Sequence, residues 1–173
     1  MHPAVREFCK EVKHLYPQHF KSKRVLDCGS LDINGNNRYL FDDDCEYTGI
    51  DVGEGRNVDA VSLIHEWTGE YDTIISTEAF EHDLHLRDSI DNIVNMLAPG
   101  GLFLFTCATT GRREHGTSRS NKKDAPLLEW EHYGNVTESM IGDLTECLYP
   151  REYRVAGLDL QFYGIMPETE HES

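Results

Sequence analysis

Asp27 and Asp51 are the residues whose type and spacing first suggest chemistry. Asp27 stands in the run Arg24-Val25-Leu26-Asp27-Cys28, which is short, β-branched at its start and closed by Gly29. A carboxylate and a glycine therefore meet where a buried strand must turn sharply. Asp51 ends a second apolar run, residues 47–51, and follows Asp27 by 24 residues. That is close to the separation of about 20 at which an acidic side chain accepts both hydroxyls of a ribose. In an open α/β sheet the ligand crevice lies beyond the carboxyl ends of the strands, so both carboxylates would face it. The pair points to an adenosine-containing cofactor; the alternative is an Asp51 that only caps the turn after it.

The surroundings of the first turn decide between cofactors. A dinucleotide brings its pyrophosphate against a G-x-G-x-x-G bend, but the positions two and four beyond Gly29 are Leu31 and Ile33. No pyrophosphate cradle is visible. A nicotinamide-dependent oxidoreductase is thereby demoted, and no Tyr-x-x-x-Lys occurs downstream to support it. S-adenosylmethionine has no phosphate; it presents a sulfonium and an amino acid end, and asks for acceptors and a few backbone amides. Asn34-Gly35-Asn36 offers a flexible point where free amide donors can collect.

These residues need a frame to position them. Residues 3–16 carry Val5, Phe8, Cys9, Val12, Leu15 and Tyr16 at three- and four-residue spacings, which predicts an amphipathic helix within an N-terminal segment of residues 1–22. Strand-like runs at 24–28, 47–51, 58–61, 73–77 and 102–107 alternate with helical patterns at about 36–42 and 86–97. Such alternation requires crossover connections, hence a mainly parallel sheet with helices on both faces and an α/β class. Pro99-Gly100-Gly101 would stop the helix before the next strand. Residues 108–135 exceed the length of about 12–15 above which a loop is usually functional or disordered, so a substrate lid is expected there. Thr137 would cap a short helix, and residues 153–165 would form a last strand or two strands with a compressed turn.

Four ordered blocks carry a resemblance. They are Val25-Leu26-Asp27-Cys28-Gly29-Ser30-Leu31-Asp32-Ile33-Asn34-Gly35, Tyr47-Thr48-Gly49-Ile50-Asp51, Tyr71-Asp72-Thr73-Ile74-Ile75-Ser76-Thr77-Glu78-Ala79-Phe80-Glu81-His82 and Leu97-Ala98-Pro99-Gly100-Gly101. This order resembles the class I S-adenosylmethionine-dependent methyltransferases, particularly the small ones whose fourth strand leads into an L/F-E-H sequence. The resemblance implies a single domain over residues 1–173 with a three-layer, Rossmann-like fold. It implies that Gly29 and Ser30 approach the methionine part while Asp27 anchors the turn, and that Asn34 and Gly35 shape its far side. Asp51 would hold the ribose, Val52 would pack on the adenine, and Thr77 would give a backbone carbonyl to the methionine ammonium. Two departures stand out. Leu63 occupies the place where similar enzymes often carry an Asp for the adenine amino group, leaving adenine to backbone groups, Ser62 or His65. Residues 153–165 leave room for only a tight or incomplete final hairpin, so a shortened C-terminal end is expected.

Methyl transfer is an in-line displacement that the protein promotes mainly by alignment, yet an acceptor hydroxyl or protonated amine still loses a proton. Histidine is the natural base at neutral pH, and His82 and His115 are the two whose expected positions overlook the crevice. Arg112, Arg113, Arg119, Lys122 and Lys123 would give the 108–135 loop a local positive charge, read either as a solvated loop or as one that closes over an anionic acceptor, with Trp130, His132 and Tyr133 able to add a stacking wall. Asp72, Glu78, Glu81, His82 and Asp83 show no ligand set at an established spacing, so no metal is expected.

Composition narrows the partners. Sixteen Lys and Arg against 31 Asp and Glu give a net charge of -15, which repels phosphate backbones and anionic lipid. Acidic groups such as 42–44 and 168–172 read as solvated surface. Nucleic acid is a poor partner, and Ser76-Thr77-Glu78-Ala79 stands where a base methyltransferase would show a D/N-P-P-Y-like sequence. Five cysteines without a C-x-x-C pair fit a reducing compartment, and no apolar run approaches about 18 residues, so a cytoplasmic protein free of membrane is expected. The expected function is methylation of an O or N of a small molecule, with a sugar or anionic metabolite as the candidate acceptor. A degenerate cofactor-binding module that regulates a partner is the non-enzyme alternative.

Overall fold

The computed structural model describes residues 1–169, so residues 170–172 of the acidic group lie outside the described residues. Apolar runs buried on both faces form its centre. In β1 (Arg24–Cys28), β4 (Tyr71–Thr77) and β5 (Leu97–Ala108), the side chains of Val25, Leu26, Ile74, Ile75, Phe103 and Leu104 are fully buried, the pattern of parallel strands covered by helices. With β2 (Glu46–Asp51), β3 (Ala60–Val61), β6 (Arg151–Ala156) and β7 (Asp159–Ile165) they make one seven-stranded sheet, in the order β3-β2-β1-β4-β5-β7-β6. The first five strands pair in parallel, and β7 is antiparallel to both β5 and β6.

Helix α1 (Pro3–Leu15) packs Val5, Phe8, Cys9 and Val12 against Val25, Ile75, Leu102 and Leu104 on one face. Helix α2 (Leu86–Met96) packs Ile90 and Ile93 against Leu26, Ile74 and Phe103 on the other. The three-layer α/β arrangement matches the expectation. From β1 the chain winds outward to β2 and β3, then returns to β4 on the opposite side of β1, leaving a crevice at the carboxyl ends where the direction reverses. Among the described residues no helix is long and apolar enough to cross a membrane, and all five cysteines carry free thiols.

Several elements differ from the sequence reading. The helix expected at 36–42 is a single 3-10 turn, Arg38–Leu40. Polar side chains there bond the backbone locally: Asp32 Oδ1 accepts from Gly35 N at 2.8 Å and Asn36 Oδ1 from Arg38 N at 3.0 Å, an alternative that competes with helical bonding. The strand expected at 102–107 begins earlier, at Leu97. Pro99-Gly100-Gly101 loop out where the β4 pairing jumps from Tyr71↔Leu97 to Thr73↔Leu102. Thr137 precedes the one-turn helix α3 (Glu138–Ile141) without capping it, its hydroxyl bonding Ser139 Oγ instead.

The final hairpin takes the tight form and is complete. Ala156 pairs with Asp159 across the two-residue turn Gly157-Leu158, with Gly157 at φ +62. Its tip also props the next loop: Leu158 O accepts from Thr109 N at 2.9 Å, and the Leu158 side chain fills the space beside Gly111. Phe105 stands at the middle of the aromatic core, with ring centroids 5.0 Å from Phe80 and 5.2 Å from Phe162. Phe105→Ala should therefore cost about 3–5 kcal/mol of stability, read as a lower urea midpoint with an unchanged slope.

Candidate active site

At the crevice opens a cavity of about 530 Å³, inside the range of about 300–1,000 Å³ usual for small-molecule sites. Its walls include Asp27, Gly29, Ser30, Asn34, Gly35, Asp51, Val52, Ser62, Leu63 and Thr77, the whole set expected for a cofactor. His82 and His115 line it as well. Gly29 makes the bend possible, for its φ is +78 and the space beside it is taken by the Ala79 side chain. The tips of β1 and β4 approach closely because that one side chain is missing.

Asp27 is completely enclosed and accepts hydrogen bonds from the Tyr47 hydroxyl and, at 3.2 Å, from Asn37 Nδ2. The same amide nitrogen reaches Thr77 Oγ1 at 3.0 Å, tying β1 to β4. Burial pushes the Asp27 carboxyl up to about 6, against the pull of its two donors. Ser30 meets the cavity mainly with its backbone, since its hydroxyl donates to Asn57 O at 2.9 Å and its carbonyl accepts from Asn57 Nδ2 at 2.8 Å.

Asp51 both braces its turn and faces the cavity. Its Oδ1 accepts from Val52 N at 2.7 Å and its Oδ2 from Leu31 N at 3.0 Å. Each carboxylate oxygen has a second acceptor site, so a vicinal diol can still be held. Burial raises its pKa and the two amides lower it. Beyond it, Ser62 gives its hydroxyl to Leu63 O at 3.0 Å. His65 does not line the cavity; its ring packs on His85 at 4.3 Å, which removes it from the adenine candidates.

The other end of the cavity gathers ionisable groups. Glu78, at φ +55, has its carboxyl pushed well above the usual carboxylate range by burial and by the charges of Glu81 and Asp159, with Arg112 opposing. Glu81 is fully buried. His82 is nearly so, and burial lowers its imidazole while the Glu81 charge raises it. The rings of His82 and His115 meet edge-on at 4.9 Å with Tyr133 behind both, and Trp130 Nε1 donates to His82 O at 2.9 Å. His115 Nε2 lies 3.6 Å from Glu81 Oε1, and that carboxylate raises its pKa.

The 108–135 segment covers the cavity from one side. Leu127 lies against Gly53, over the turn that follows Asp51, and Trp130 joins the wall. His132 does not line it. Two of the five expected cations are engaged inside the segment: Arg119 is paired with Glu114, and Lys122 donates to Leu128 O at 2.7 Å. Arg112 and Arg113 line the cavity, but Arg112 is bound to Asp159 at 2.8 Å and faces Glu78 at 3.7 Å. Sequence reasoning did not single out Asn37, Tyr47 or Glu78 as site residues. Asn37 looks like its neighbours Asn34 and Asn36 in the sequence; only the fold sets its amide between Asp27 on β1 and Thr77 on β4.

A doubly wound sheet with a lined crevice at its switch point defines a nucleotide-cofactor class of α/β protein. More narrowly, the chain belongs to the methyltransferase domain family, whose model matches residues 2–156. No curated protein matches it. Among solved structures it is similar to the 1,6-didemethyltoxoflavin-N1-methyltransferase of Burkholderia thailandensis, solved with 1,6-didemethyltoxoflavin and S-adenosylhomocysteine. The TM-score is 0.65 and the identity 16%, over 96% of this chain and 79% of that one. It is also similar to the N-methyltransferase NodS of Bradyrhizobium japonicum in complex with S-adenosylhomocysteine, with TM-score 0.61 and 22% identity over 96% and 89%. A third is phosphoethanolamine N-methyltransferase 2 of Haemonchus contortus with S-adenosylmethionine, with TM-score 0.66 and 16% identity, where the chain spans 94% of itself and 53% of that protein.

The raised Asp27 carboxyl has a measurable consequence. Its folded pKa lies above the unfolded value near 3.9, so the folded state holds that proton more tightly. Its contribution to stability is full below about pH 4 and falls as pH rises through about 6, by of order 3 kcal/mol. Urea unfolding at pH 4.5, 5.5 and 6.5 should show the wild type losing stability relative to Asp27→Asn over that window. A difference that stays constant with pH would contradict the buried carboxyl.

Proposed function

We propose that the chain is an S-adenosylmethionine-dependent methyltransferase that methylates an oxygen or nitrogen of a small polar molecule. The observation that carries this is the pairing, in one cavity, of a braced carboxylate at the tip of β2 with a glycine bend at the tip of β1 and no pyrophosphate cradle. Ribose hydroxyls go to Asp51, and adenine lies between Val52 and Leu63, next to Leu127. The methionine part follows Gly29 and Ser30 past Asn34 and Gly35, with its ammonium toward the Thr77 carbonyl. That leaves the methyl group directed at the end where Glu78, His82, His115 and Trp130 converge.

Displacement at the sulfonium carbon needs donor and acceptor in line, and orientation can contribute about 7–11 kcal/mol. His82 and His115 are the groups available to handle the acceptor's proton. Since Arg112 and Arg113 share the cavity wall with Glu78, Glu114 and Asp124, the mixed charge suits a neutral polar acceptor such as a sugar better than a polyanion. The structural neighbours named above are N-methyltransferases, which favours retaining nitrogen among the accepting atoms. Free thiols throughout suit a cytoplasmic, reducing setting.

Differential scanning with added ligand tests the reading. S-adenosylhomocysteine at about 100 times its dissociation constant should stabilise the fold by about 2.7 kcal/mol, whereas NAD should leave the melting temperature in place. Asp51→Ala should remove most of the response. Stabilisation by NAD alone would overturn the cofactor, and an Asp51→Ala protein that responds like the wild type would overturn the ribose contact.

A further inference from the structure

We infer that Glu81, His82 and His115 form a binding site for one divalent first-row transition cation, with an open coordination position facing the cavity. One carboxylate oxygen and one ring nitrogen from each histidine all lie within 4.8 Å of one another. Around zinc at bond lengths of about 2.0–2.1 Å, tetrahedral ligand atoms stand about 3.3 Å apart. The 3.6 Å between His115 Nε2 and Glu81 Oε1 is thus near the separation that a shared ion imposes, and it is too long for a hydrogen bond.

Unmet polar groups make the case independently of proximity. Glu81 is fully buried with neither carboxylate oxygen hydrogen-bonded, and His82 Nδ1, also buried, has no partner. Burying a carboxylate that accepts no hydrogen bond is costly even with an imidazole 3.6 Å away, and such charges are ordinarily hydrogen-bonded to their partner or bound to metal. The second shell has the matching form. His115 Nδ1 lies 3.1 Å from Arg113 O; donation to that carbonyl fixes the tautomer that turns the Nε2 lone pair toward Glu81, as ligating histidines ordinarily do. Gly116, at φ +76, lets the loop close on His82, because a Cβ there would lie 2.7 Å from His82 Cε1.

Two imidazoles and one carboxylate suit zinc, iron(II), cobalt(II) and similar ions, and disfavour calcium and magnesium, which prefer all-oxygen shells. Resting on the methyltransferase reading, the open position would take an oxygen of the acceptor, and a cation there lowers the pKa of a bound hydroxyl. With the cation bound neither imidazole keeps a lone pair free, so the proton-accepting role given above to His82 and His115 belongs to the metal-free chain.

Cobalt titration of the chelator-treated, tag-free chain, followed by its visible absorbance, tests the site without any acceptor. One equivalent should bind and be displaced by zinc. His115→Gln, on the covering loop, should weaken binding at least ~10-fold, and so should Glu81→Gln; should the buried Glu81 variant not fold, the loop variant still decides. No saturable uptake by the wild type, or uptake that His115→Gln leaves unchanged, overturns the site. The melting shift with S-adenosylhomocysteine should persist in His115→Gln. Its loss in the wild type would count against the cofactor and not against the cation, so the two readings fail separately.

Discussion

Everything at the carboxyl edge of the sheet is arranged around one enclosed carboxyl group. Asp27 brings together β1, on which it stands, β2 through Tyr47, and the Asn37 amide that also grips β4 at Thr77. Enclosing an acid is unfavourable, and its raised pKa reflects that. What the arrangement secures is position: three backbone segments meet at a fixed distance, and the Gly29 bend beside them lets the tip of β1 close against Ala79, just beyond the end of β4. Neighbouring Asn57 fastens Ser30 by two bonds, its side-chain amide donating to the Ser30 carbonyl and its backbone carbonyl accepting from the Ser30 hydroxyl.

The part of the cavity lined by Asp27, Gly29 and Asp51 was legible because it is built locally. Strand, glycine and carboxylate follow one another within a few residues, and each states its own geometry: a β-branched run buries, Gly29 turns, Asp51 terminates. Parallel order was legible for a similar reason, since strands spaced by helical patterns have few ways to connect. Even where the crossover helix after β1 proved to be a single 3-10 turn, the topology held, because α1 from the N-terminus covers that face instead.

The part lined by His82 and His115 was much less legible, and the reason is distance along the chain. His82 and His115 could each be flagged from type and location, but their meeting depends on how residues 108–135 fold back. Glu81 read as part of an F-E-H motif, and nothing in the string distinguishes a solvated glutamate from one with both oxygens sealed. Charge was misleading for the same reason. Five cations in one loop suggested a basic surface, yet Glu114 and a backbone carbonyl of the same loop consume two of them, and Asp159 from β7 takes a third. Composition counts charges; it does not show how they pair.

The hairpin between β6 and β7 touches no wall of the cavity with its tip, yet Leu158 supports the chain at Thr109 and Gly111, where the covering segment departs from β5. It acts as a strut set outside the chamber. Lengthening or re-sequencing that tip alters the pitch of the roof while the floor, where the nucleoside would rest, is untouched. On the proposed reading, selectivity for the second substrate would then be adjustable from a remote corner, apart from the residues set aside for the nucleoside.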